Sequence, residues 1–256
     1  MMRKTIDKTK EIVENIKKLD AESEQDSSKA ALNVEKYGAQ FLSVFLENYD
    51  NFNLSQINRA CKIALTLPLD PESKKDSKYY DTILQKLVVR YSNEKNNQNL
   101  TIWLSLIGKI GNLHAIPIIA RSLMSTDKRV RANAIEALGK IGGSQVKELL
   151  LPYLNDSNNR VKANTAIALW EYDDLRAKIK KIFDKMVNDP NKWMKASAFY
   201  AFGEIKAGEF LQILVNSLDD NDEDVCRNAF LALVGYAEKY SGFEDISFEG
   251  GKKARK

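Results

Sequence analysis

The sequence predicts an all-α chain: a right-handed α-solenoid of stacked antiparallel helix pairs, preceded by a divergent N-terminal helical cap. Three observations carry this prediction. One nine-residue pattern recurs at 130–138, 161–169, 194–202 and 225–233, stepping by 31, 33 and 31 residues. A period of that length marks a helical unit that buries its apolar face only by stacking on its neighbours. Within each copy the apolar and small residues share one stripe: positions 130, 134, 137, 138 and 141 follow the helical spacing i, i+4, i+7, i+8, i+11. A second amphipathic stretch accompanies each unit, at 115–124, 146–155, 176–188 and 210–219.

The elements follow in order. Residues 1–29 form a polar segment in which Ile6, Val13, Ile16 and Leu19 support one weak amphipathic helix. The run 23–28 reads as a linker, and the whole segment as a solvated, fraying end. Residues 30–97 form a divergent helical region with three helices near 35–48, 55–67 and 77–91. Ser55 is the candidate N-cap of the second, Pro68 its stop, and 68–76 a loop. Terminal units of stacked arrays are usually atypical, which suits this region. The regular array spans 98–240, and residues 241–256 read as a disordered basic tail.

Inside the array, Asp127, Asn158, Asn191 and Asp222 stand three residues ahead of each motif, where short polar side chains cap helices. Small residues at 134, 137, 198, 201, 229 and 232 let neighbouring helices approach closely. The column Asn133/Asn164/Ser197/Asn228 is expected to hydrogen-bond neighbouring loop backbone, because a buried amide needs partners. Trp170 stands where other units carry Gly139 and Gly203, in a unit two residues longer, so a repacked turn is expected there.

Composition narrows the function. The chain has 256 residues, 44% apolar and 29% charged, which is ordinary for a water-soluble protein. No apolar run is long enough to span a bilayer, and no secretory signal is visible, so a cytoplasmic location is expected. The net charge of +4 equals the contribution of Lys252, Lys253, Arg255 and Lys256. The remaining chain is balanced, which argues against nucleic acid as the partner. Cys61 and Cys226 read as two small buried hydrophobes rather than a disulfide. His114 is the single histidine, in a turn, and no zinc spacing, phosphate loop, dinucleotide fingerprint or nucleophile elbow occurs. No catalytic, cofactor-binding or metal residue is expected, and the chain reads as a non-enzyme that needs no cofactor.

The run Val-Arg-x-x-Ala-x-x-Ala-Leu-Gly-x-Ile-Gly, clearest at 130–142, resembles the HEAT repeat and is closest to a short bacterial subtype first associated with bilin lyases. Ala115-Ile116-Pro117 is similar to that family's second-helix start. The resemblance covers 100–240. It implies a polar ladder between repeats, built from Arg131, Lys162 and Lys195 with loop acids Asp127 and Asp222. The ladder is incomplete here, since Cys226, Asn158 and Asn191 interrupt it.

The resemblance further implies that the second helices line a concave binding face. The aligned columns predicted to point inward are 115/146/179/210, 118/149/182/213, 119/150/183/214 and 123/154/187/218. Ile116 falls with Lys147, Lys180 and Leu211 on the face left over. That face points to a scaffold or adaptor for a protein or peptide partner, with Leu151, Leu211 and Val215 as apolar anchors. Arg121, Lys147, Lys180 and Lys185 would select an acidic, amphipathic segment. Two other readings stay open. One is a HEAT-like nucleic-acid-binding protein or DNA glycosylase, for which Trp170, Tyr172, Asp173, Lys192, Trp193 and Lys195 supply residue types. The other is a bilin lyase or chaperone-like protein.

Overall fold

The computed structural model describes residues 2–67 and 77–240. The expected loop at 68–76 and tail at 241–256 lie outside the described residues. Every regular element among the described residues is an α-helix or a short 3-10 turn, as the repeat pattern requires. The chain divides into two compact units, Met1–Leu150 and Leu151–Lys256.

The first unit holds α1 (Met2–Lys17), α2 (Glu24–Glu35), α3 (Ala39–Glu47), α4 (Leu54–Thr66), α5 (Ser77–Asn93), α6 (Asn97–Ile110), α7 (Ile116–Ala120), α8 (Lys128–Ile141) and α9 (Ser144–Leu150). Its beginning departs from the fraying segment expected. Ser23 opens a helix rather than a linker, its hydroxyl accepting the Asp26 N–H at the start of α2. Ile12, Ile16 and Leu19 are buried, and α1 packs on α2, α3 and α4. A stripe this narrow is weak alone, but three covering helices make it a core.

The N-cap of α4 is Asn53, not Ser55. Its Oδ1 accepts the Gln56 N–H while the Gln56 side chain accepts the Asn53 N–H, a reciprocal capping box. The same two side-chain amides donate to the Asp20 carboxylate at 2.7 and 2.8 Å and hold its carboxyl below the usual range.

Long polar side chains tie this unit to its own backbone. The Arg59 guanidinium donates to the Leu19 carbonyl and the Ser27 hydroxyl. Lys109, half-buried near the end of α6, points its ammonium at the C-terminal end of α4. It donates to the carbonyls of Ala64 at 3.1 Å and Leu67 at 2.6 Å, and to that of Leu65. Such carbonyls have no partner within their own helix, and a cation there also meets the negative end of the helix dipole. Between these ties lies an aromatic core. Phe45 is 6.0 Å from both Phe41 and Phe52, and Tyr49 lies 5.2 Å from Trp103. α6 and α8 cross closely at Gly108, where a Cβ would sit 2.5 Å from the Ala137 Cα.

The second unit holds α10 (Asn159–Leu169), α11 (Asp173–Val187), α12 (Lys192–Ile205), α13 (Leu211–Asn216) and α14 (Glu223–Tyr240). α10, α12 and α14 pack in succession, with α11 against α12 and α13 against α14. Phe183, Phe202 and Phe210 form the centre. Phe202 stacks on Phe210 at 4.1 Å, and Phe183 meets both edge-on at 5.0 and 5.5 Å. Trp170 joins them, 5.2 Å from Phe210, with Arg176 over its ring and donating to its carbonyl. This is the repacked turn expected where a glycine is missing.

The four loop residues cap their helices as expected. Asp127, Asn158 and Asn191 accept the N–H of Arg129, Val161 and Trp193, and Asp222 accepts those of Asp224 and Val225. Three of the second helices are shorter than the stretches expected at 115–124, 146–155 and 210–219. α7, α9 and α13 end early, and the chain continues as 3-10 turns over Arg121–Met124, Leu151–Asn155 and Ser217–Asp219. Pro152 lies within one of them and has no N–H to continue an α ladder. Only α11 keeps α geometry to Val187. There Met186 rather than Val187 is the buried residue.

Candidate binding surface

The inward columns of the second helices are largely as expected. Ala115, Val146, Ile179 and Phe210 are buried, as are Ile119, Leu150, Phe183 and Leu214. The column Ile118/Leu149/Ile182/Ile213 is half-buried throughout. Ile116, placed by sequence on the outer face, is fully buried instead, because the following Pro117 takes the exposed position at the start of α7.

The seven residues expected to contact a partner are distributed over both units. In the first, Arg121 is exposed and Lys147 half-buried. In the second, Lys180 and Lys185 are exposed, Leu151 and Val215 are half-buried, and Leu211 is 38% exposed. Lys180 is engaged, forming an ion pair with Glu209 at the start of the next second-helix segment. Lys178, Lys181 and Lys185 of α11 are also exposed, at i, i+3 and i+7 on one face, and Arg176 pairs with Asp173.

The larger exposed apolar residues of the second unit lie on its first helices instead. Trp193 is 54% exposed, Tyr200 49% and Leu231 56%. An open groove of about 390 Å³ runs beside α12, lined by Asn159, Arg160, Trp193, Ser197, Tyr200 and Asn228 among others. A second, of about 510 Å³, lies between α12 and α14 and includes Tyr200, Glu204, Lys206, Asn228, Leu231 and Gly235. Tyr200 and Asn228 border both. The sequence carried a signal for this side, in a residue that the reading above assigned only to a nucleic-acid alternative. Trp193 stands in a column otherwise filled by Arg129, Arg160 and Asp224, and an aromatic in a charged column marks a position freed from solvation duty.

The polar ladder is real in this unit but differs from the one the resemblance implied. Asn159 donates to the Ser197 hydroxyl at 2.6 Å and to the Trp193 carbonyl. Lys192 pairs with Asp224 at 2.6 Å and with Asp222 at 3.4 Å, and Lys195 with Asp220 at 3.3 Å. The Asp224 hydrogen bond raises the Lys192 ammonium, and the Lys192 ammonium holds the Asp224 carboxyl below its usual range; the Asp220 carboxyl is held down first by the Asp222 backbone N–H and then by Lys195. Arg131 instead turns to the carbonyls of Ser125 and Thr126 in its own loop. Cys226, half-buried rather than buried, donates its thiol to the corresponding carbonyl, Asp220. In the Asn column, Asn133 and Asn164 are buried, Ser197 accepts from Asn159, and Asn228 donates to Asp224 within its own helix.

Chemistry is sparse. His114 is exposed in the turn ahead of α7. Among the described residues no group of His, Cys, Asp and Glu is placed to hold a metal ion, and no helix is long and apolar enough to cross a membrane.

The HEAT-repeat family model matches residues 84–170 and 148–234, together more than half of the chain. The chain belongs to the HEAT-repeat family. Among curated proteins, none matches it in sequence. The likeness to solved structures is one of HEAT fold. A chain from the structure describing Kap95p binding to RanGDP superimposes with a TM-score of 0.57 at 10% identity, over 94% of this chain and 36% of that one. This HEAT protein thus spans about a third of that relative. E. coli YibA aligns at 18% identity and TM-score 0.47, over 91% of this chain and 87% of that one. A designed armadillo repeat protein aligns at 16% identity and TM-score 0.33, over 87% of this chain and 98% of that one.

Proposed function

We propose that this HEAT-repeat chain is a non-enzymatic scaffold that docks a protein or peptide partner on the first-helix side of its second unit. The observation that carries the reading is the row Trp193–Tyr200–Leu231, half-exposed along two open grooves that share Tyr200 and Asn228. Large aromatic side chains held on rigid helices lose little entropy on binding and supply the anchor residues of interfaces. Lys192 and Lys195, the cations a nucleic-acid reading would assign to phosphate, are paired with carboxylates, which favours protein over nucleic acid.

A second reading keeps the partner on the second-helix side. Lys178, Lys181 and Lys185 in a row, with Leu211 exposed on α13, would suit an acidic amphipathic segment, together with Leu151, Val215 and Lys180 of the same unit. Affinity capture from native lysate with three baits separates the two: wild type, Trp193→Ala with Tyr200→Ala, and Lys181→Glu with Lys185→Glu. Partners lost only from the aromatic variant support the first reading, and partners lost only from the charge-reversed variant support the second. Both variants retaining every partner, while their circular dichroism matches wild type, would remove both surfaces.

A further inference from the structure

Each first helix of the second unit has a side turned toward the helix that follows it. In α12 that side is fixed by Gly203, where a Cβ would lie 3.1 Å from the Ala232 Cα of α14. Phe199 and Ala196, four and seven residues earlier, lie toward the same side, and both are buried. The equivalent residues of α14, 31 positions on, are Val234, Phe230 and Arg227. Here the burial is reversed: Phe199 is 1% exposed and Phe230 58%, while Val234 is 41% exposed. With Glu223, Leu231 and Ala237 these residues form a continuous exposed row at 223, 227, 230/231, 234 and 237. Spacings of four and three alternate along it, the seam of a two-helix coiled coil, apolar at its centre and charged at one end.

We propose that this face of α14 is an interface with a second copy of the chain, two α14 helices packing antiparallel about a twofold axis. Three features select that occupant. The face continues an interface already present, the α10–α12–α14 stacking, with Phe230 and Val234 apolar where Phe199 and Gly203 pack and Arg227 replacing Ala196 at one end. It is nevertheless not shaped for one more ordinary repeat. Where α6 and α12 present Gly108 and Gly203 to the small residues of the next helix, α14 presents Val234. Phe230, Leu231 and Val234 fit a helix bearing side chains of similar bulk at the usual separation of roughly 8–10 Å, and another α14 is such a helix.

Charge sets the direction. A parallel pair would place Glu223 against Glu223 and Arg227 against Arg227, whereas an antiparallel pair moves these like charges to opposite ends and brings Phe230 against Val234 of the other copy. A head-to-tail stack on α2 is disfavoured, because the one large apolar residue exposed there, Leu32, stands among exposed Glu24, Gln25, Ser28, Lys29 and Glu35.

Sedimentation equilibrium of the full chain, from low micromolar to several hundred micromolar, tests the proposal. Wild type should show a reversible monomer–dimer equilibrium. Phe230→Asp with Val234→Asp should raise its dissociation constant about 100-fold or more. Trp193→Ala with Tyr200→Ala, which tests the partner groove, should leave dimerisation unchanged. As a second measurement, Arg227→Cys with Ala237→Cys in a Cys61→Ala, Cys226→Ser background should cross-link between copies under mild oxidation, because the register that sets Phe230 against Val234 sets 227 against 237, whereas Ala237→Cys alone and Leu32→Cys in the same background should not. A chain that stays monomeric throughout the range overturns the proposal, and so does a dimer that survives the double aspartate variant with unchanged affinity. A chain that dimerises only after residues 241–256 are removed overturns it as well, by assigning the face to that segment.

Discussion

The helices of residues 2–93 and the repeats of residues 97–240 reach a packed core by different means. In the first region individual long side chains reach across to backbone or to a single carboxylate. Arg59 holds the Leu19 carbonyl, Lys109 comes back from α6 to the end of α4, and Arg90 pairs with Asp50 through two contacts of 2.8 and 2.9 Å while covering Tyr49. In the second region burial is organised by columns, the same position buried in unit after unit, with Ile135, Ala166 and Phe199 as one example. A column tolerates changes of residue as long as each is apolar and the neighbour can accommodate it. A tie to a carbonyl depends on one side chain of one length. The two designs should therefore fail differently.

The column is broken most directly at Phe199. Phe199→Ala should destabilise the second unit by about 3–5 kcal/mol, the cost of emptying a buried aromatic site. Phe230→Ala, at the equivalent position but exposed, should change stability by less than about 1 kcal/mol when measured below the dimerisation range. Urea unfolding followed by circular dichroism checks both. Similar losses from the two variants would show that burial, rather than position in the repeat, had been misassigned.

The next largest effect tests the ties. Lys109→Met keeps most of the apolar stem but leaves the last carbonyls of α4 without their donor, which should cost about 1–3 kcal/mol. Amide exchange should rise first over α4 and remain slow in α8. Lys140→Met removes only the exposed Lys140–Glu136 pair within α8 and should cost about 0.5 kcal/mol or less. Equal costs for the two lysines would mean that the contact of Lys109 with α4 adds nothing beyond a surface ion pair.

This contrast also explains what could be read from the letters. The repeat period, the four caps and the buried stripe of each first helix leave a recurring trace in the sequence, because the same physical demand is met four times. The N-terminal helices leave none. Ser23 and Asn53 look like linker and loop residues until their side chains are seen capping, and a lysine that holds carbonyls is written like any solvated lysine. The site was less legible for a related reason. Columns reveal what must be alike between units, whereas a surface for a partner is marked by what differs. Trp193 among charged residues and Val234 in a column of Gly108, Gly139, Trp170 and Gly203 are such differences. A reading that searched the second helices for shared character passed over Val234 and placed Trp193 only in a nucleic-acid reading.

The smallest effect separates the regions by pH. Asp127, Asp220 and Asp224 in the repeats, and Asp20 and Asp50 in the first region, all have carboxyls held below their usual range. For Asp127 and Asp50 the leading cause is a hydrogen bond from an arginine, for Asp224 one from Lys192, for Asp220 a backbone N–H, and for Asp20 the amides of Asn53 and Gln56. A carboxyl whose folded value lies below its unfolded value binds fewer protons when folded. Its stabilisation is complete above the unfolded value, near pH 4, and is lost as pH falls from there toward the folded value. The urea midpoint should therefore be flat from pH 7 to about 5 and decline below about 4. Asp127→Asn retains a capping side chain without the charge, so it should cost little at pH 3 and more at pH 7, making the decline shallower. An equally steep decline in this variant would assign the acid sensitivity to other carboxylates and leave the cap of α8 working through its hydrogen bond alone.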